Sequence, residues 1–203
     1  MGASDWQTVV ELLRGCGVAF DTGLADGEVD RAESRFGFRF PPDLRTFLQT
    51  AMPCGEHFPD WRGGDEAGLR EWLGLPLRGI LFDVRHGFWM EEWGPRPATW
   101  AEAEYIVGGL VASAPTLVPV CQHRMMPSEP HEAGNPVFSV HQADIIYYGF
   151  DLEDYIRNEW NLPGRLPWQS PKAIRFWDIE RFQSVRWADG GGWPYDNSAG
   201  ILP

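Results

Sequence analysis

The chain is poor in lysine. Lys172 is its single lysine, while arginine, glycine, alanine and proline are plentiful. That usage reads as the codon bias of a GC-rich, bacterial genome. The formal net charge of −12 argues against nucleic acid as a partner, since a phosphate backbone wants a strongly basic surface. Cysteine is scarce as well: Cys16, Cys54 and Cys121 stand far apart, without a C-x-x-C pair. An odd, scattered set argues for free thiols in a reducing compartment, not a disulfide framework. No run of about 18 apolar residues is present, which excludes a spanning helix. The first residues lack a basic region ahead of an apolar stretch, so no signal peptide is expected and the location expected is cytoplasmic. No G-x-S-x-G elbow and no glycine-rich phosphate loop between a strand and a helix occur. There is no internal repeat.

What is present is a 203-residue chain, 43% hydrophobic, long enough for a sizeable core. Acid exceeds base in each third of the chain, so the charge is spread evenly and not held in a tail. Ser4-Asp5-Trp6-Gln7 has the form of a capping box, with Trp6, Val9, Val10 and Leu13 at helical spacing behind it. Asp26 is placed to cap a second helix ending at Gly37. Pro42 opens a third, with Leu44, Phe47, Leu48 and Ala51 on its apolar face. Residues 55–68 read as an exposed loop, followed by a short helix ending at Gly74. Leu77–Val84 and Gly87–Trp93 suit strand or tight turn equally. Thr99 and Glu102 form another capping box.

Leu117–Gln122 reads as a strand whose Pro119 puts it at an edge or a bulge. Val137–His141 and Ile145–Tyr148 read as two strands, with Phe138, Val140, Ile145 and Tyr147 in the core and Asp144 fixing the turn between them. Asp151 caps a helix carrying Leu152, Tyr155, Ile156 and Trp160. Residues 161–171 hold Pro163, Pro167 and Pro171 and read as a linker; a last helix is expected near 171–182, before a Gly-rich tail. Strands that cluster between groups of helices predict an α+β fold: N-terminal helices, a central, mainly antiparallel sheet covered on one face, and C-terminal helices.

Four strings in order carry a family resemblance. They are Gly37-Phe38-Arg39-Phe40-Pro41-Pro42-Asp43-Leu44; Gly79 to Val84 with Phe88-Trp89 and Trp93-Gly94-Pro95-Arg96-Pro97; Leu117-Val118-Pro119-Val120 with His123-Arg124 and Pro127; and Asn135 to Gly149 with Asp151-Leu152 and Tyr155-Ile156. Over about residues 24–160 the chain resembles the SUKH superfamily, in the branch similar to the yeast cell-wall-assembly regulators. It departs at 52–68, where Cys54-Gly55 stands in place of the Asn-Gly often found there, and residues 161–203 match nothing in it. The resemblance implies a SUKH-like domain over 1–160, with 161–203 as linker, helix and tail of the same domain. It also implies an immunity-type protein that neutralises a toxin by binding it, with no shared catalytic motif and so no catalytic residue.

Three readings of the chemistry follow. Eleven tryptophans are many for this length. Those in helical patterns, such as Trp6, Trp72, Trp100, Trp160 and Trp177, suit the core. Trp61, Trp89 and Trp93 have polar neighbours, and either pack locally or supply binding contacts. With Glu56, Glu91, Glu92, Arg96, His141 and Tyr148 they are the candidate contact residues for a protein partner, a toxin domain with a basic surface. A regulatory scaffold with a cellular partner is the second reading. The third is a metal-dependent enzyme: Cys121, His123, His131 and His141 could serve as zinc ligands, but the paired spacing of zinc motifs is missing. Glu91 and Glu92 are adjacent and diverge, so they do not form a converging acid–base pair. No enzyme activity, metal or cofactor is expected.

Overall fold

The first helix, α1 (Trp6–Gly15), starts at Asp5. Its carboxylate accepts from the Thr8 amide at 3.3 Å and from the Thr8 hydroxyl at 2.6 Å. The cap is thus Asp5 and not the Ser4 of the expected box; Ser4 lies outside the residues that the computed structural model describes, which are 5–164, 166–177 and 179–185. Trp6, Val9, Val10 and Leu13 form the buried face, as their spacing predicts. A strand that the sequence does not announce, β1 (Ala19–Thr22), follows. The next helix, α2 (Asp26–Phe36), has Ala25 at its cap: the Glu28 carboxylate reaches back to the Ala25 N–H at 2.8 Å. Asp26 instead receives Arg45 at 3.0 Å and Gln49 at 2.8 Å, which ties α2 to α3 (Pro42–Thr50). Ala51 leaves the helical path, and β2 (Ala51–Cys54) pairs antiparallel with β1, Phe20 facing Pro53.

Beyond the loop come α4 (Glu66–Leu73) and α5 (Leu75–Arg85). The second of these corrects the reading of Leu77–Val84, expected as strand or tight turn: the segment is helix, with Pro76 tolerated in its first turn. Glu91–Trp93 is a single 3-10 turn, and α6 (Trp100–Ser113) carries the expected Thr99/Glu102 box.

The sheet is a meander, β3 (Leu117–Cys121), β4 (Arg124–Pro127), β5 (Val137–His141) and β6 (Asp144–Gly149), antiparallel throughout and in that spatial order. Its first strand lies at an edge and is bulged between Pro119 and Cys121, as Pro119 requires. The strand β4 has no sequence signal of its own. Asp151 caps α7 (Leu152–Glu159). The last helix, α8 (Ile179–Ser184), is shorter and later than expected, since residues 171–177 are not helical. The Gly-rich tail falls outside the described residues.

The architecture is α+β, with helices before and after a central antiparallel sheet. One expectation is corrected: the sheet is covered on both faces. Alternation sends Val118, Val120, Met126 and Val137 into one core with α1, α2, α3 and α7. It sends Leu117, Met125, Phe138, Val140 and Ile145 into another with α5, α6 and the side chains of Ile174, Trp177, Ile179 and Phe182. Trp177 closes that second core. It is 1% exposed, and its indole N–H donates to the Pro115 carbonyl at 2.7 Å.

The turn between β5 and β6 is held from outside. Gln142 has φ 58, a left-handed conformation that carries strain for a side chain of this size. Asp144 was the expected stay of this turn; the Ala143 N–H instead donates to the buried Asp83 carboxylate of α5 at 2.8 Å. One helical turn earlier, Gly79 lets the helix backbone touch the turn: a Cβ there would sit 2.7 Å from the Gln142 Cα.

Burial raises the Asp83 carboxyl above the ordinary aspartate value, and the Ala143 N–H pulls it back in part. A raised acid binds its proton more readily in the native than in the unfolded chain. Its contribution to stability therefore falls as pH rises through the window above the ordinary value of 3.8. Asp83→Asn keeps an acceptor without the charge and should flatten this part of the pH–stability curve. Asp83→Ala orphans the amide and should cost about 1–3 kcal/mol. Denaturant melts from about pH 4, near the ordinary aspartate value, up to about pH 8 check both; an unchanged slope in Asp83→Asn would refute the assignment.

Candidate functional site

Residues 88–96 form a knuckle between α5 and α6. Phe88, 1% exposed, plugs the second core and stacks on Phe182 at 6.1 Å. Trp93 packs edge-on to Phe88 at 5.7 Å, and Trp89 edge-on to Trp93 at 5.3 Å. The Trp89 indole N–H donates to the Gly94 carbonyl at 2.8 Å, closing the loop on itself. Gly94, at φ 86, turns the chain out of the 3-10 turn in a conformation that favours glycine. Both tryptophans remain half-buried. Glu91 and Glu92 stand exposed on the crest, and Arg96 is half-buried beyond them. Arg181 of α8 approaches Glu92 at 3.4 Å, both side chains being largely in solvent, so this pair is weak and exchangeable.

The other candidate residues lie elsewhere. Glu56 is exposed in the loop after β2, with the His57 Nε2 at 3.8 Å. Trp61, expected to offer a contact surface, is only 5% exposed. It fits among Phe36, Phe38 and Phe40 with ring centroids at 5.9, 5.6 and 5.2 Å. Its neighbour Arg62 forks onto Glu28 at 2.7 Å and Asp21 at 2.8 Å and onto the Thr22 carbonyl at 2.9 Å. Polar neighbours in sequence made Trp61 look external. In three dimensions the Trp61–Arg62 pair straps the loop to α2 and β1, with the indole in the core.

His141 is exposed at the end of β5, opposite Asp144. Tyr148, 37% exposed, lies beneath the Arg124 guanidinium, 3.6 Å from the ring centroid. Arg124 also donates to the Ser139 hydroxyl at 2.9 Å, touches the His123 ring, and has Glu159 at 3.9 Å. The knuckle residues are therefore brought together by the fold, whereas Glu56, the His141–Tyr148 region and the buried Trp61 are separate from them in their packing.

Next to Arg124 is an arrangement with no sequence signal. A cleft of about 480 Å³ opens between the end of α1, the β2 loop, the end of β3 and α7. Cys16, Cys54 and Cys121 all line it, with Glu56, His57 and Glu159. Only the fold unites these thiols. Burial pushes the Cys121 thiol up, against the pull of the neighbouring Tyr155 hydroxyl and of the Arg124 charge. Burial likewise raises the Tyr155 phenol. His123 is lowered by burial first, then by Arg124 and His141. A thiol raised in this way carries little thiolate, the form that reacts as a nucleophile. Among the described residues no group of three or more His, Cys, Asp or Glu is placed to hold a metal ion. His131 of the candidate zinc set lines a different cleft. No helix among the described residues is long and apolar enough to cross a membrane. Comparison with protein-family models, with curated proteins and with solved structures finds no match to this chain.

Trp61→Ala should destabilise the fold by about 3–5 kcal/mol, as expected for a large aromatic removed from a core; a loss below 1 kcal/mol in a denaturant melt would contradict its burial (roughly the scale of a surface change). Iodoacetamide should alkylate the exposed Cys16 first and the buried Cys121 last, and peptide mass spectrometry of the native protein reads the order. Equal rates at Cys16 and Cys121 would show that the thiol is neither shielded nor held protonated.

Proposed function

We propose that the chain is a non-enzymatic, cytoplasmic protein-binding module of the SUKH type, acting as an immunity protein that neutralises a toxin domain with a basic surface. The observation that carries this reading is the knuckle. Glu91 and Glu92 stand exposed on a base of interlocked aromatics that the second core holds in place. Charge on such a crest speeds encounter with a basic partner, and the half-buried indoles beneath it add contact area at low entropic cost. Arg181 gives up little when a partner's base replaces it at Glu92, because an exposed pair is worth little. The net charge of −12 adds a general attraction for a basic partner. The order of motifs over about residues 24–160 supports the family.

Co-expression with the product of the adjacent upstream gene, in a host harmed by that product alone, tests the reading. Rescue with a co-purifying complex is the expected result; neither rescue nor complex would move the assignment to a regulatory scaffold. In that complex, Glu91→Lys with Glu92→Lys should slow association about tenfold or more at low salt, and less as salt screens the field. An on-rate unchanged in stopped-flow mixing would remove the knuckle from the interface.

A further inference from the structure

On the far side of α6 from its cap, a second cleft of about 550 Å³ is built from four separate stretches of chain: the end of α2, the end of α6, the loop between β4 and β5, and the segment before α8. Its charge runs against that of the molecule. In a chain of net charge −12, this cleft is lined by Arg39, Arg175 and His131, with Glu129 as the single acid among its lining residues. Arg39 is exposed and makes no hydrogen bond or ion pair to any described residue. A guanidinium with no partner among the described residues can receive an anion. Arg175 is already oriented, because one amino group donates to the Ser113 carbonyl at 2.5 Å. Its remaining N–H donors are uncommitted by that bond. Thr116 and Ser128 add hydroxyls to the wall.

We infer that this cleft binds a small phosphate-bearing molecule. Two guanidiniums from separate stretches of chain suit a phosphate group, which offers several acceptor oxygens and is met bidentately by arginine. The volume lies within the range of small-molecule pockets and leaves room beside the phosphate for an organic part near Ala112 and Ala114. The site is separate from the Glu91–Glu92 crest and does not depend on the proposed partner.

Titration calorimetry on the full chain, with pyrophosphate as probe and ionic strength held constant by chloride, tests this. One-site, saturable binding is expected. Arg39→Gln should weaken it about tenfold, the loss of one charge-assisted contact or more. Since Arg39 is exposed, the melting temperature should not move, so a loss of binding cannot be blamed on unfolding. Arg175→Gln is the second variant and should weaken binding similarly. The absence of saturable heat, or undiminished binding in Arg39→Gln, overturns the inference. Citrate binding as tightly as pyrophosphate overturns the phosphate assignment.

Discussion

The contact on which the sheet depends is the one between α5 and the β5–β6 turn. Two residues without a favourable turn sequence, Gln142 and Ala143, connect the strands, and Gln142 adopts a left-handed backbone. An isolated hairpin with this connection would be poorly specified. Gly79 and Asp83, one helical turn apart, correct that: the first removes the side chain that would block approach, the second accepts the Ala143 N–H. The register of β5 against β6 decides which side chains enter each core, because a slip of one residue exchanges the faces. A helix contact distant in sequence thereby determines that Phe138 and Val140 face α5 and α6 while Val137 faces α7.

Both cores rest on this central layer, and the surface chemistry follows from them. Phe88 is buried in the second core, so the chain must return to the surface directly after it, and it does so through the Glu91–Trp93 turn. The acidic crest is displayed because the aromatics at its base are fixed. On the other side of the sheet, α1, β2, β3 and α7 all end around the thiol cleft, where Arg124 spans from the sheet toward Glu159. The two regions are supported by different cores.

The helices with strong local signals were legible: α1, α3 and α6 from spacing and caps, and α7 from Asp151. The two strands around Gln142 were legible from their β-branched and aromatic residues. What was not legible depended on partners far along the chain. Ala51–Cys54 continues the apolar face of α3 in sequence and becomes a strand because β1 is there to pair with it. Leu77–Val84 has the composition of a strand, and its helical state is marked only by Pro76 in the first turn and by the Gly79–Asp83 spacing, whose purpose is visible only with Ala143 in place. Trp61 sits among charged and glycine residues in sequence, and its burial comes from Phe36, Phe38 and Phe40, which no periodicity links to it. The knuckle was found because its aromatic and acidic residues are consecutive; the cysteine cleft was missed because its residues are not.

The late position of Trp177 sets an order of assembly. Every strand of the sheet, and the helices α5 and α6, precede it in the chain. During synthesis the first core can close as soon as α7 has emerged, but Phe138, Val140 and Ile145 keep part of their cover missing until the segment from Ile174 to Phe182 arrives and Trp177 reaches Pro115. The nascent chain therefore passes through a stage with an apolar sheet face partly open to solvent. Apolar surface exposed in this way favours self-association and capture by chaperones.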